Sequence, residues 1–280
     1  MGVVSDFVTG AGHGPLDARP GPLRAFLLAG RFLTRWPLPD PGLPEAPFLA
    51  PAMGRAALFY PLIGLLLGAL LALSALVLAP SPPLVGAVVL LILWVWSSGA
   101  LHLDGLADCA DAWVGGLGSR ERTLEILKDP RSGAMGVVAL VLVLLAKLAA
   151  IAALLEAGHA SVLLLAPALA RAQLLLLALT TPYARADGMG AAMRAHLPRA
   201  GGWAVVALAW ALSGVLALTG MGLAGVLPLL GAAWLFWRWR RSLIARLGGY
   251  TGDGAGALVE LTEVVLLTGA ALLVPMGGGV

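Results

Sequence analysis

The chain has 280 residues, of which 60% are apolar and 12% are Asp, Glu, Lys or Arg, and its mean hydropathy is +0.93. Soluble domains are nearer half apolar and a quarter charged, so this composition excludes a water-soluble globular protein and a disordered one. Cys109 is the single cysteine, which excludes an internal disulfide framework. The net charge of +3 does not indicate nucleic acid, because the arginines follow a membrane topology. The composition predicts a polytopic membrane protein.

Seven segments are apolar enough to be predicted as membrane spans. Crossing about 30 Å of hydrocarbon takes roughly 20 apolar residues, and runs of this length are too long for buried strands. No segment alternates between apolar and polar residues as the strands of a membrane barrel would. The predicted spans lie at about 56–79, 84–103, 134–155, 160–180, 203–221, 224–239 and 257–276. The predicted fold is therefore all-α, a polytopic transmembrane helix bundle of about seven spans.

The basic residues predict the orientation of this bundle. Sixteen of the eighteen Lys and Arg residues fall before residue 56 or in segments 104–133, 181–202 and 238–256. Cytoplasmic segments carry the excess of Lys and Arg, so these four belong inside, with the N-terminus cytoplasmic and the C-terminus outside. Lys147 and Arg171 lie within spans. Both are candidates for a functional role, and Lys147 is alternatively a partner for an internal carboxylate.

The N-terminal region divides into two parts. Residues 1–22 are rich in Gly, Pro and Asp and lack the apolar core of a signal peptide, so we expect a flexible lead-in. Residues 23–33 are too short to cross a bilayer and predict an interfacial helix. Residues 23–280 are predicted to form a single integral membrane catalytic domain.

Three aspartates follow the second predicted span, in LHLDGLADCADAW. Asp104, Asp108 and Asp111 have the spacing i, i+4, i+7 and share one face of a helix. Each ionised Asp costs about 2.5–3.5 kcal/mol near the membrane centre, and a divalent cation removes both this cost and the mutual repulsion. Oxygen ligands without a His or Cys cluster indicate Mg²⁺ or Mn²⁺. The alternative is a solvated helix end, but the neighbouring Leu, Ala, Cys and Trp are untypical of one.

A second acidic group occurs in TGDGAGALVELTEVV. Asp253 lies in a glycine-rich turn, and Glu260 and Glu263 are i, i+3 neighbours near the start of the last span. We expect these three carboxylates to face the first group as further metal ligands. The structural alternative is that the glutamates pack against an arginine.

Cations near these acidic groups predict an anion site. In LEILKDPRSGAMG, Lys128 and Arg131 stand beside a glycine turn that can offer backbone N–H groups to a phosphate. Arg185 and Asp187 in TPYARADGMG form a second patch of this type. His102 precedes Asp104 by two residues and is a candidate to support the site, although a lone histidine at a span end is more often structural.

A metal-binding carboxylate cluster with nearby cations suits transfer chemistry on a diphosphate. CDP-alcohol phosphotransferases carry DxxDGxxAR, whose AR is missing after Asp104-Gly105. Intramembrane prenyltransferases share the DxxxD spacing of Asp104 and Asp108, but their second, Asn-containing motif is not found. An ion-coupled transporter would place carboxylates near the midplane within inverted repeats, and neither feature is visible.

The closest resemblance is to cobalamin synthase, the adenosylcobinamide-GDP ribazoletransferase family. It rests on LHLDGLADCADAW, LEILKDPRSGAMG, TPYARADGMG and GGYTGDGAGALVELTE, with FLTRWPLP and RAALFYPLIGLLLG nearer the N-terminus. These elements run in order from about residue 26 to 270. Cys109, Ala112, Trp113 and Ser132 depart from the family pattern, but no charged group is lost.

The resemblance implies an inner-membrane enzyme that joins adenosylcobinamide-GDP to α-ribazole or its 5′-phosphate, releases GMP and needs Mg²⁺. It implies metal ligands among the aspartates and glutamates above, and diphosphate contacts from Lys128 and Arg131. Arg35, in FLTRWPLP, joins Arg185 and Asp187 as a candidate for substrate binding. Asp111 and Asp253 are both candidates to accept the proton of the attacking hydroxyl, and the sequence does not choose between them.

Overall fold

A computed structural model describes residues 21–42, 49–185 and 189–274. The described residues form helices and no strand, apart from an isolated parallel bridge between Tyr183 and Tyr250. The α-helices are α1 (Pro22–Leu33), α2 (Leu49–Ala56), α3 (Tyr60–Val77), α4 (Pro83–Ser98), α5 (Leu101–Gly115), α6 (Arg120–Ile126), α7 (Ala134–Glu156), α8 (Val162–Thr180), α9 (Met189–Ala195), α10 (Arg199–Met221), α11 (Val226–Leu247) and α12 (Gly252–Ala271). The all-α prediction is confirmed.

Five helical segments within the described residues are long and apolar enough to cross a membrane, or up to six if α4 and α5 together make one span. One of them, Arg199–Leu247, contains two of the seven predicted spans, separated by a 3₁₀ segment at Gly222–Gly225. The chain is therefore a multi-pass helical protein. The number seven and the cytoplasmic N-terminus stay predictions.

The second predicted span is shorter than the sequence indicated. α4 ends at Ser98, and α5 leaves it at an angle of 87°. Gly99 and Ala100, with φ of 61° and 56°, both take the left-handed conformation that turns the chain. The predicted span 84–103 is therefore interrupted, and the DGLAD sequence lies on a separate helix that starts at the bend.

α12 is the central helix of the bundle. It packs against α5, α7, α8 and α11, and Ala257, Leu258, Val259 and Leu267 on it are fully buried. Thr251 begins this helix, and its hydroxyl accepts a hydrogen bond from the backbone N–H of Gly254 at 3.1 Å. The cap fixes the point at which the chain enters the bundle, directly before Asp253.

Candidate functional site

The site forms where the start of α12 crosses α5. A Cβ added at Gly105 would lie 2.7 Å from the carbonyl oxygen of Asp253 and 3.0 Å from its Cα, so only glycine permits this approach. The contact places Asp253 beside Asp104, as expected of two acidic groups that face each other. The glycine of DGLAD thus brings the two acidic motifs together.

The predicted helix for Asp104, Asp108 and Asp111 is confirmed as α5. The carboxylate of Asp108 lies within range of electrostatic repulsion from Asp104, Asp253 and Asp111. Within the described ranges, however, no three His, Cys, Asp or Glu side chains come close enough to enclose a metal ion by themselves. The arrangement is a loose acidic surface along α5 rather than a closed metal cage.

Asp111, at the far end of this surface, makes hydrogen bonds that are structural. Its two carboxylate oxygens accept hydrogen bonds from the backbone N–H groups of Gly133, at 2.7 Å, and Gly136, at 2.9 Å. These N–H groups belong to the N-cap residue and the first turn of α7, where backbone N–H groups have no partner within their own helix. Asp111 therefore caps α7 and ties the preceding loop to α5, which leaves it poorly placed to serve as a metal ligand or base.

The loop that carries Lys128 and Arg131 lies next to this cap and is open to solvent. The Arg131 guanidinium donates to both carboxylate oxygens of Asp129, at 2.9 and 2.7 Å. Hydrogen bonds from the side chain and backbone of Arg131 lower the pKa of Asp129 to about 2. Lys128 is exposed beside this pair. Seven residues of helix separate Asp104 from Asp111, about 10 Å along the axis, so the cations lie at one end of the acidic surface.

Arg185 lies at the other end. Its Nη2 is 3.7 Å from Oδ2 of Asp253, too long for a hydrogen bond. Nε and Nη2 of Arg185 and Oδ2 of Asp253 are buried, with no hydrogen-bond partner in the part of the chain that the structure describes. Unsatisfied donors beside an unsatisfied carboxylate oxygen are costly and indicate a place for a ligand.

Two other residues were predicted as substrate contacts, and of these only Arg35 lies within the described residues, where it does not join this group. Asp187 lies outside the described residues. Arg35 is exposed, and its side chain lies against Gly99 at the bend between α4 and α5. Its backbone N–H donates to the carbonyl of Ser97 at 2.8 Å. Arg35 therefore braces the start of α5.

Glu260 and Glu263 point into the bundle, away from this surface. Lys147 of α7 lies 2.5 Å from both carboxylates, and Arg171 of α8 pairs with Glu263. All four residues are at most 4% exposed. Because these cations already neutralise both glutamates, the geometry corrects their assignment as metal ligands and favours the structural alternative. It also agrees with Lys147 as the partner of an internal carboxylate.

A cavity of about 250 Å³ opens beside Asp104 and Asp253. Its walls are mainly apolar and come from α1, α2, α3, α5, α8, α9 and α12. Tyr183 and Tyr250 contribute to the lining, with their rings packed edge to face at 5.0 Å between centroids. His102 also lines it, and its Nδ1 is buried without a partner in the described ranges.

The tyrosines were missed at the sequence level, although each stands inside a predicted motif, TPYARADGMG or GGYTGDG. Their bridge explains the pairing, because Ala184 N–H donates to Tyr250 O and Tyr250 N–H donates to Pro182 O, both at 2.9 Å. The only available signal was their position beside charged residues. Spacing along the chain gave no hint that they meet.

Comparison with known proteins agrees with the resemblance drawn from the motifs. Residues 25–271 match the family described as cobalamin-5-phosphate synthase. The adenosylcobinamide-GDP ribazoletransferase of Pseudomonas aeruginosa (strain UCBPP-PA14) is 55% identical over 251 residues, covering 89% of this chain and 98% of that protein. Proteins of the same name from Pseudomonas fluorescens (strain Pf0-1) and Stutzerimonas stutzeri (strain A1501) are 51% and 50% identical, covering 88% and 89% of this chain and 98% of each relative.

No solved structure matches the chain. The family match covers all the described site residues, from Arg35 to Glu263. The resemblance stated from the sequence is thereby confirmed. The chain belongs to the cobalamin-5-phosphate synthase family.

Proposed function

We propose that this chain is a Mg²⁺-dependent transferase of the inner membrane, with its active site facing the cytoplasm. It joins adenosylcobinamide-GDP to α-ribazole, or to α-ribazole 5′-phosphate, and releases GMP. The family supports the reaction. The observation that carries the site is the unsatisfied pair formed by Arg185 and Asp253, because Asp253 lines an apolar cavity together with Asp104.

The residues present fit a magnesium ion shared with a substrate. Mg²⁺ commonly takes one or two protein carboxylates and completes its coordination with water and substrate phosphates. Asp104 is exposed at the cavity, and Asp253 offers a buried oxygen without a hydrogen-bond partner in the described chain. Asp104 and Asp108, which share one face of α5, would hold the ion, and the oxygen of Asp253 beside them stays available to accept a proton. When bound, Mg²⁺ neutralises charge on the diphosphate and on the departing phosphate.

The chemical step is a substitution at phosphorus. A ribazole hydroxyl oxygen forms a bond to the phosphorus on the cobinamide side, and the bond from that phosphorus to the bridging oxygen of GMP breaks. GMP leaves with the electron pair. The hydroxyl proton passes to a carboxylate, and we assign this role to Asp253 rather than to Asp111, whose oxygens are occupied by backbone N–H groups.

The cations are proposed to bind different parts of the anionic substrate. Arg185 has unsatisfied donors beside Asp253 and suits the phosphate that reacts. Lys128 and Arg131 are exposed at the other end of α5 and suit the rest of the GDP group. Arg131 must exchange its contact with Asp129 for one with phosphate, which an exposed pair allows at little cost.

The test is GMP release by detergent-purified protein supplied with adenosylcobinamide-GDP, α-ribazole or its phosphate, and Mg²⁺. We expect release to need both substrates and to stop on addition of a chelator. Asp104→Asn and Asp253→Asn should each lower turnover at least about 100-fold, because both remove charge from the reacting centre. Glu156→Gln, at the opposite end of α7 from Gly133, is the matched control and should retain full turnover.

Absence of GMP release from well-folded wild-type protein would contradict this function. Prenyl or alcohol diphosphates would then be the next substrates to supply, since the same carboxylates and cations suit them. Full turnover by Asp253→Asn would instead remove Asp253 from the mechanism and leave the reaction in place.

A further inference from the structure

The cavity beside Asp104 and Asp253 is too small for both substrates of the proposed reaction. Its volume is about 250 Å³, slightly below the roughly 300–1,000 Å³ typical of pockets for drug-sized ligands. A corrinoid is a macrocycle several times larger than a bicyclic base. The cavity therefore has room for one heterocyclic base with part of its sugar.

The walls of the cavity match a flat, apolar aromatic group. Phe32 and Tyr60 stack with 18° between their planes and line one part of it, while Leu33, Leu101 and Leu174 contribute aliphatic surface. Tyr183 and Tyr250 line another part. Aromatic and aliphatic side chains around a narrow space bind planar rings by contact and exclusion of water.

Two polar groups at these walls have no partner within the described ranges. The Tyr250 hydroxyl and His102 Nδ1 are both buried and unsatisfied, and Tyr250 as a residue is only 4% exposed. Burial and the neighbouring Tyr183 raise the pKa of Tyr250, so its hydroxyl stays protonated and donates. The imine nitrogen of a benzimidazole nucleoside is an acceptor that this donor could satisfy.

We propose that this cavity holds the benzimidazole base of α-ribazole, with Tyr250 as a hydrogen-bond donor to its ring nitrogen. The inference rests on the proposed function and assigns one of the two substrates of that reaction to this cavity. The ribose then projects out of the cavity, where its hydroxyl meets Asp253. The cobinamide nucleotide binds outside the cavity, along the acidic surface of α5 toward Lys128 and Arg131.

The first test adds a bulky side chain at a residue that lines the cavity. Gly252 lines it, and a Cβ added there meets no atom within 4 Å. Gly252→Leu should therefore fold normally and weaken α-ribazole binding at least about tenfold, measured by titration calorimetry on the full-length protein in detergent. Gly214 on α10 also has open space around its Cβ but does not line the cavity, so Gly214→Leu is the matched control with unchanged affinity.

The second test removes a single oxygen. Tyr250→Phe keeps the ring and its packing, and losing one hydrogen bond should weaken α-ribazole binding about five- to tenfold. The free benzimidazole base should compete with α-ribazole for wild-type protein. Neither variant should change the affinity for adenosylcobinamide-GDP by more than about twofold, since that substrate binds elsewhere.

Three results would overturn the assignment: unchanged α-ribazole affinity in folded Gly252→Leu, unchanged affinity in Tyr250→Phe, or a loss confined to adenosylcobinamide-GDP. If Gly252→Leu did not fold, Tyr250→Phe would still decide. Each of these results is compatible with GMP release by the wild type. Failure of the proposed function shows itself differently, as no GMP release when both substrates are supplied to wild-type protein.

Discussion

Four charged side chains, Lys147, Arg171, Glu260 and Glu263, make a neutral cluster inside the bundle and join α7, α8 and α12. Lys147 also lies over the ring of Trp94, 4.9 Å from its centroid. Removing one partner from such a cluster leaves a buried charge uncompensated, which costs far more than the paired arrangement. The cluster therefore fixes how these helices meet.

Glu263→Gln should destabilise the protein by about 3–5 kcal/mol, because Arg171 loses its carboxylate partner in a buried setting. Thermal unfolding in detergent measures the loss. Adding Arg171→Met to the same variant should recover part of it, since no unpaired guanidinium remains. A stable Glu263→Gln protein that needs more Mg²⁺ would restore the role of metal ligand for Glu263.

A second prediction at the scale of single residues concerns the contact between Asp111 and Gly136. A Cβ at Gly136 would lie 2.5 Å from Oδ2 of Asp111 and 3.0 Å from the carbonyl of Ala107. Gly136→Ala should destabilise the protein by about 1–3 kcal/mol by forcing these groups apart. Gly214→Ala, with open space at its Cβ, is the control and should be neutral or slightly stabilising in the same thermal unfolding experiment.

At the scale of elements, the bend between α4 and α5 decides where the aspartates lie. Without it, α4 would continue through LHLD and carry Asp104 along the axis of a span. The turn at Gly99 and Ala100 directs α5 across the start of α12 instead. Ala100 takes a left-handed conformation that costs a residue with a Cβ about 1–2 kcal/mol.

Ala100→Gly should therefore raise the midpoint of thermal unfolding, with a gain of about 1 kcal/mol after the extra chain entropy of glycine is subtracted. The measurement is differential scanning calorimetry in one detergent for both proteins. A lowered midpoint would mean that the Ala100 methyl group makes contacts that outweigh its backbone strain.

At the scale of the whole molecule, the distribution of basic residues predicts which loops face the cytoplasm. Cys109 is the single cysteine, so Cys109→Ala gives a background for single reporter cysteines. With seven spans and an inside N-terminus, Glu125→Cys should be shielded from an impermeant maleimide in intact cells, while Glu156→Cys and Leu223→Cys should react. Leu223 lies between α10 and α11 and is 85% exposed. Protection of Leu223→Cys would contradict two separate spans in Arg199–Leu247.

Much of the architecture could be predicted from composition alone. Long apolar runs have no low-energy alternative to helices in a bilayer, because every backbone N–H and C=O must be satisfied locally. The spacing of Asp104, Asp108 and Asp111 is a local helical property, and α5 confirms it. The motifs also identified the family, since their residues and order are a direct property of the chain.

The tertiary structure decided which charges meet. Glu260 and Asp253 stand seven residues apart in one motif, yet Glu260 pairs inward with Lys147 while Asp253 lies at the cavity beside Asp104. The spacing places Asp111 on the same helical face as Asp104, but its carboxylate caps α7 instead. A helix presents neighbouring side chains to different partners, and those partners come from helices distant in sequence. The sequence therefore determined the membrane class, the helices and the family. The close packing at Gly105 and the turn at Gly99 decided where the site lies. Contacts between distant segments depend on how closely their backbones approach, and the spacing of residues along the chain does not encode this.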